Sequence, residues 1–303
     1  MDIAITGASG FIGSALRASL RADGHGVVAV SRSAGGSDSI RWDPAAGTID
    51  GAGLEGLDAV VHLAGEGIAS GPWTAKQRRR IHDSRSQGTD LLARTLAGLQ
   101  HPPAVLLSGS AVGAYGDRGD EVLTEASARG ADFLATVCRD WEEAAAPAAA
   151  AGIRVANLRT GVVLARRGGA FGKQLPIFKL GLGGKAGDGT QWFPWIALED
   201  DIAAIRFLLT SEISGPVNLV APQAVTNAEF TKALGRVLHR PTVIPVPRLV
   251  RHLPLGIGDL LGSLLFTSQR VQPDVLTGAG FTFARPDLDG ALASIIGSRG
   301  PGS

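Results

Sequence analysis

The chain opens on Ile3-Ala-Ile-Thr6, an apolar run that reads as a short strand. It then passes through Gly7, Gly10 and Gly13 into an amphipathic stretch over 12–22. Three glycines spaced three apart between strand and helix constrain the fold more than any other feature. The first permits a tight exit from the strand. The second lets backbone N–H groups approach a pyrophosphate, and the third lets the helix pack close to the sheet. The helix N-terminus then offers unpaired N–H groups and a positive dipole end to an anion. A second strand over 26–30 follows about twenty residues on, as a dinucleotide site requires. The bland alternative is a strand-turn-helix that binds nothing; the flanking elements favour a nucleotide. The contacts expected from the turn are Gly7, Ser9, Gly10, Phe11, Ile12 and Gly13.

Further strand-like runs at 59–63, 104–108 and 154–158 alternate with helical patterns at 75–99 and 133–150. That alternation predicts an α/β fold, a doubly wound parallel (Rossmann) sheet with helices on both faces. It fails after Leu158. A glycine-rich loop over 181–189 follows, bracketed by Lys173, Lys179 and Lys185, and loops of this kind are mobile or functional. Beyond it we expect a helix over 199–209, a strand over 216–220 and a helix from the Thr226–Glu229 capping box to Leu238. A strand at 242–245, an apolar run over 254–266 and a helix over 286–296 complete the pattern. Residues 1–160 with about 197–220 are thus expected to form a dinucleotide-binding domain. Residues 161–196 and 221–297 would form a smaller substrate-side lobe, and 298–303 a disordered tail.

The net charge of +1 gives no electrostatic footprint for nucleic acid or an anionic membrane. Cys138 is the only cysteine, which excludes an internal disulfide and a multi-cysteine metal site. No histidine pair has zinc-motif spacing, so no metal is expected. No apolar run reaches membrane-spanning length, and the motif begins too early to leave room for a signal peptide. A cytoplasmic protein acting on a small-molecule substrate is the expectation.

The nucleotide is chosen at the end of the second strand. An acid there bonds a ribose 2′-OH, whereas an arginine accommodates a 2′-phosphate. The chain reads Val30-Ser31-Arg32-Ser33, with no acid until Asp38. Arg32 can pair with a phosphate in a bidentate way, and Ser31 and Ser33 add donors. NADP(H) is favoured over NAD(H), against the alternative of an exposed loop arginine.

These residues resemble the short-chain dehydrogenase/reductase superfamily in its extended and atypical branches. The resemblance rests on Thr6-Gly-Ala-Ser-Gly-Phe-Ile-Gly13, His62-Leu-Ala-Gly65 and Ser108-Gly-Ser110-Ala-Val-Gly-Ala-Tyr115-Gly116-Asp117. A narrower set covers nearly the whole chain, including Trp73-Thr74, Ser84-Arg85, Trp141-Glu142, Gly181-Leu-Gly-Gly184 and Ser268-Gln-Arg-Val271. That set is similar to the "epimerase-family" proteins, atypical members with a C-terminal domain of unknown function. The resemblance implies further cofactor contacts at Leu63, Ala64, Gly65 and Ser108. It also implies a catalytic serine at Ser110 and a tyrosine, Tyr115, near the nicotinamide.

The superfamily's usual chemistry uses a Tyr-x-x-x-Lys pair, in which the ammonium lowers the phenol's pKa. Here Tyr115 is the only tyrosine, and Gly119 stands four residues after it. If Trp141-Glu142 marks the usual helix, Leu134 and Cys138 take the places of the pair. Ser110 then holds the substrate oxygen, with Tyr115 or water as proton donor. Each has a plainer reading: Ser110 as a strand-end hydroxyl bonding its own loop, and Tyr115 as a surface-loop aromatic. Glu66 reads as an exposed loop acid and Cys138 as a small core residue. Trp192 and Trp195, three apart, should face opposite ways, one in the core and one on the cleft. The leading reading is an NADP(H)-dependent oxidoreductase or epimerase-like enzyme. The rival is a catalytically silent, cofactor-bound sensor or scaffold.

Overall fold

A computed structural model describes residues 1–32 and 39–297. Ser33 and the 298–303 tail, both singled out above, lie outside the described residues. The first part of the chain runs β1 (Asp2–Thr6), α1 (Phe11–Ala22), β2 (Gly26–Ser31), β3 (Ser39–Asp43), β4 (Thr48–Ile49), β5 (Ala59–His62) and α2 (Ala75–Ala97). It continues with β6 (Val105–Ala111), β7 (Val122–Leu123), α3 (Phe133–Glu143), α4 (Ala146–Ala150) and β8 (Arg154–Thr160). Then come β9 (Val162–Leu164), α5 (Gly169–Lys179), β10 (Trp192–Phe193), β11 (Trp195–Ala197), α6 (Leu198–Thr210) and β12 (Gly215–Leu219). The last elements are β13 (Val225–Thr226), α7 (Asn227–Leu238), α8 (Ile257–Leu265), β14 (Arg270–Val271), α9 (Asp274–Gly278) and α10 (Leu288–Gly297).

Eight strands form one sheet in the order β12-β8-β6-β5-β1-β2-β3-β4. All pair in parallel except the β3–β4 hairpin. Both faces are covered, so the central strands read as continuous apolar runs rather than alternating ones. Ile3 and Ile5 join Leu16, Leu107, Leu158 and Leu208 under α1 and α6. Ala4 points the other way, into a second core with Val60, Leu92 and Leu106 under α2 and α4. The doubly wound α/β sheet is the one the alternation predicts.

A third core, of Phe171, Leu175, Trp195, Phe230, Leu234 and Leu292, joins α5, α7 and α10 beside β11. The C-terminal chain does not stay with it. Leu276, Phe281 and Phe283 return to the core of the main sheet, where α9 packs on β12.

Four local expectations are corrected. The helix expected over 133–150 breaks into α3 and α4, with Pro147 in the first turn of the second. Proline lacks the N–H and its ring clashes with the preceding turn, so one continuous helix is excluded. The strand expected at 104–108 runs on to Ala111, because β8 pairs with it as far as Thr160. The segment at 242–245 makes only an isolated bridge, Gly184 to Val243, with a second from Ala186 to Val246. Pro241, Pro245 and Pro247 deny it ladder donors. Finally, α5 was not expected, since its glycines and Pro176 blur the helical period.

Candidate cofactor and substrate site

The glycine turn is a backbone device. The chain leaves β1 through Gly7 at φ +67°, a region that side chains avoid. A Cβ there would stand 2.9 Å from the Leu63 carbonyl carbon. Gly10 caps α1 without a side-chain bond, so the N–H groups of the first turn lack a side-chain acceptor. A Cβ on Gly10 would meet only the Gly7 carbonyl oxygen, at 3.0 Å, whereas one on Gly13 would lie 2.2 Å from that same oxygen. A Cβ on Gly10 would thus press that oxygen at the edge of contact, whereas one on Gly13 would overlap it. Ser9 is exposed, while Phe11 and Ile12 are half-buried; the Phe11 ring rests on Gly168 and Gly169 at the start of α5.

The segment after β5 is tied over the turn by Thr6. Its Oγ accepts from the N–H groups of Leu63 (3.0 Å) and Ala64 (3.1 Å) and lies 2.8 Å from His62 Nδ1. With both lone pairs taken, Thr6 donates to Nδ1, and His62 Nε2–H donates to Thr89 Oγ1 at 2.9 Å. Burial, helped by the Arg85 charge, pushes His62 down to about 4, so the ring is neutral. Gly65 packs on the Arg85 guanidinium.

At the end of β2, Ser31 pairs with Arg41 of β3, and exposed Arg32 follows it. Thr6 pairs with Val30, so Arg32 stands beside the glycine turn. Arg41 is a second cation at this edge, which the sequence reading missed because it did not detect β3.

A cavity of about 360 Å³ opens at the carboxyl ends of β6 and β8. Ile12 of α1 forms part of its wall, so cavity and turn share a residue. Leu134, Val137, Cys138 and Trp141 of α3 line one side; Trp192, Phe193 and Phe230 line another, with Leu264 and Leu265 of α8. Arg85 is the only cation among the described lining residues. Its Nη1 already donates to the carbonyls of Glu66 (2.9 Å) and Ile81 (3.0 Å), and its guanidinium lies 4.9 Å from the Trp141 ring centroid.

Ser110 reaches this cavity, and Tyr115 does not. Ser110 Oγ donates to Glu142 Oε1 at 2.7 Å. Glu142 is held in a bidentate pair by buried Arg159, Nε to Oε1 at 2.8 Å and Nη2 to Oε2 at 2.9 Å, and Arg129 adds a bond at 2.7 Å. Burial alone would raise the Glu142 pKa, but Arg159, Ser110 and Arg129 hold it below the ordinary carboxylate value. Tyr115 is fully buried. Its hydroxyl donates to Asn218 at 2.6 Å and accepts from Arg159 at 3.1 Å, and burial raises its pKa despite that cation. The expected surface-loop aromatic or proton donor is instead a core residue whose hydroxyl is spent on protein.

Three other expectations also meet the structure. Ser108 is buried within β6 with its Oγ unpartnered; it pairs with His62 inside the sheet and does not stand at the strand tip. Glu66 pairs with Arg80 at 3.1 Å, away from the cavity wall. Trp195 is core, donating to the Gln223 carbonyl, while Trp192 lines the cavity under the Arg270 guanidinium. The two indoles separate because Pro194 ends β10, and β11 pairs elsewhere, rather than by alternation in one strand.

Residues 3–220 match the model of the NAD dependent epimerase/dehydratase family, and residues 246–295 match a domain of unknown function, DUF1731. The chain belongs to that epimerase/dehydratase family. It is 41% identical to an epimerase family protein of Mycobacterium bovis, over 96% of each chain. The human epimerase family protein SDR39U1, solved with NADPH, superposes with a TM-score of 0.89 at 34% identity, covering 99% of this chain and all of that one. A structure titled nucleoside-diphosphate sugar epimerase, from Corynebacterium glutamicum, gives 0.80 at 39% identity, over 98% of this chain and 58% of that one.

Membership in the epimerase/dehydratase family settles the fold and leaves the chemistry to the site. In this member α3 brings Leu134 and Cys138 to the cavity wall, against Gly113. Burial pushes the Cys138 thiol up to about 11, so it is neither thiolate nor proton relay at neutral pH. Sequence reasoning noted Arg85 and Glu142 only as marks of a resemblance. It passed over Arg159, because nothing local in a strand ending Leu158-Arg159-Thr160 announces a partner seventeen residues earlier.

Proposed function

We propose that the chain binds NADP(H) across the glycine turn and reduces a small, uncharged, largely apolar carbonyl compound in the adjoining cavity. The observation that carries the reading is the cavity itself, which takes Ile12 from the glycine turn and Ser110 from β6 into one wall. The residues present fit the cofactor. Gly10 is exposed and puts no side chain where pyrophosphate would lie, and the first turn of α1 has no side-chain cap. Backbone of Ser9 to Ile12 would hold the phosphates, and Leu63 to Gly65 would cover them. Arg32 with Ser31, joined by Arg41, would take a 2′-phosphate; Ser33 is the further contact expected from the sequence. The chemistry supplied by the bound cofactor is hydride transfer at nicotinamide C4.

The chain's own part is to hold and polarise the carbonyl. Ser110 turns its proton from Glu142 to the carbonyl oxygen. Glu142 tolerates the loss, because Arg159 and Arg129 still satisfy it. Water supplies the final proton, since Tyr115 faces Asn218. Several polar wall residues are spent on protein, while Gln191 Oε1 is buried there without a partner. Asn227 accepts from Ala186 N, Gln269 donates to the Val112 and Gly116 carbonyls, and Asp132 caps α3. A diphosphate group calls for arginine or lysine clamps; the wall offers Arg85, which is already bonded. Even with Arg270 a further cation over the Trp192 ring, the lining favours an uncharged substrate over a nucleotide sugar.

The withdrawal of Tyr115 also favours the silent sensor as a second reading, and one experiment separates the two. NADPH oxidation is followed at saturating cofactor with a panel of uncharged ketones and enones. Turnover that falls at least tenfold in Ser110→Ala supports the reductase. Tight NADPH binding without turnover across the panel supports the sensor.

A further inference from the structure

Two surface segments share a composition that the whole-chain charge hides. From Arg166 to Gly187 the chain carries Arg166, Arg167, Lys173, Lys179 and Lys185 and no acid. From Phe230 to Gly258 it carries Lys232, Arg236, Arg240, Arg248 and Arg251, with His239 and His252, and again no acid of its own, although Arg236 pairs with Asp289 and Arg248 with Asp188 from outside the segment. Backbone bonds join the segments into one face. Val246 N donates to the Lys185 carbonyl at 2.9 Å, and Gly187 N donates to that of Val246 at 2.8 Å. Arg240 Nε donates to the Lys179 carbonyl at 2.9 Å.

The same face holds eight of the eleven exposed large apolar side chains among the described residues. Leu180 and Leu249 are each 74% exposed, Val243 76% and Leu255 77%. Leu255 sits at φ +61°. That conformation is costly for a leucine, and here it holds an apolar side chain out to water. Strain of this kind points to a function outside the folded core. In Arg248-Leu-Val-Arg-His-Leu-Pro-Leu255 cations and apolar residues interleave along the chain, so apolar tips and charged heads share one surface.

We propose that this face docks on an anionic lipid bilayer, its leucines and valines entering the headgroup boundary and its lysines and arginines meeting lipid phosphates. Charge complementarity selects this occupant. A second copy related by a twofold axis would set cation against cation, and the rest of a chain of net +1 must be acidic. Among the described residues no helix is long and apolar enough to cross a membrane, so the contact is peripheral. Leu264, exposed on α8 a few residues beyond the second segment, also lines the cavity.

Co-sedimentation of the full chain with sonicated vesicles tests the proposal. Vesicles of phosphatidylcholine and phosphatidylglycerol, 7:3, should bind the protein at 0.1 M salt. Pure phosphatidylcholine should bind it at least tenfold more weakly, and 0.5 M salt should release it. Leu249→Glu with Leu255→Glu should lower binding at least tenfold. Lys179→Glu with Arg251→Glu, both on exposed side chains, should do the same, and circular dichroism melts check that each variant is folded. Absence of binding to the 7:3 vesicles would overturn the proposal, as would equal binding to both compositions or folded variants that bind normally. A dimer in sedimentation equilibrium that Leu249→Glu dissolves, without vesicle binding, would assign the face to a second copy.

Discussion

The glycine turn and the cavity beside it share Ile12 but are built in opposite ways. The turn uses backbone alone: a left-handed Gly7, an exposed Gly10 and a close-packed Gly13, all within seven residues. The cavity uses side chains from α1, α2, β6, α3, β10, α7 and α8, segments more than two hundred residues apart in the chain. A backbone device tolerates no Cβ and dictates its residues. A side-chain wall can be repapered, since hydrophobic surfaces of matching volume substitute for one another.

The largest effects should fall on the turn. Gly13→Val would force a Cβ against the Gly7 carbonyl and should cost more than about 3 kcal/mol in urea unfolding. Gly10→Val, three residues away, meets the same oxygen at 3.0 Å rather than 2.2 Å and should cost much less stability than Gly13→Val, yet abolish NADPH binding in calorimetry. Equal affinity in Gly10→Val would make the turn structural only and dissolve the comparison.

Thr6, which ties the covering segment over the turn, is backed by a side chain that titrates. His62 is neutral in the fold, with its pKa depressed from 6.5 to about 4. Its contribution is therefore complete above pH 6.5 and is lost as pH falls toward 4, by up to about 3 kcal/mol. His62→Gln should flatten that acid limb in pH-dependent unfolding. An unchanged slope would place the acid sensitivity elsewhere.

Arg32→Asp should weaken NADPH binding by about 1–3 kcal/mol, the range for a lost charge-assisted bond, and should narrow the preference over NADH. Equal affinity of the unmutated protein for both nucleotides would refute the reading of that strand end. The smallest effect on function is expected at Tyr115→Phe, with turnover unchanged and about 1–3 kcal/mol of stability lost, because Asn218 Oδ1 and Arg159 Nη1 each lose a buried partner.

What was legible in the sequence follows the same division. The turn, the central strands and the capping box of α7 were readable because each is local: spacing, a buried apolar run, a Thr-to-Glu bond. The separation of Trp192 from Trp195 came out as expected, though Pro194 and a change of strand partner produce it. The Ser110–Glu142–Arg159 chain was not readable, because its members come from β6, α3 and β8 and meet only when the sheet forms. Tyr115 misled for the same reason. A motif places it near the cofactor in sequence, while the packing of β12 places Asn218 where its hydroxyl must go.

The central claim is that the cavity holds a carbonyl against the nicotinamide under Ser110, without a phenol. Single-turnover transfer from C4-deuterated NADPH to uncharged aryl ketones and enones measures it most directly. Deuterium should appear on carbon in the product, be lost at least tenfold in Ser110→Ala and persist in Tyr115→Phe. Loss of transfer in Tyr115→Phe with NADPH affinity intact would contradict the account, as would transfer that Ser110→Ala leaves untouched.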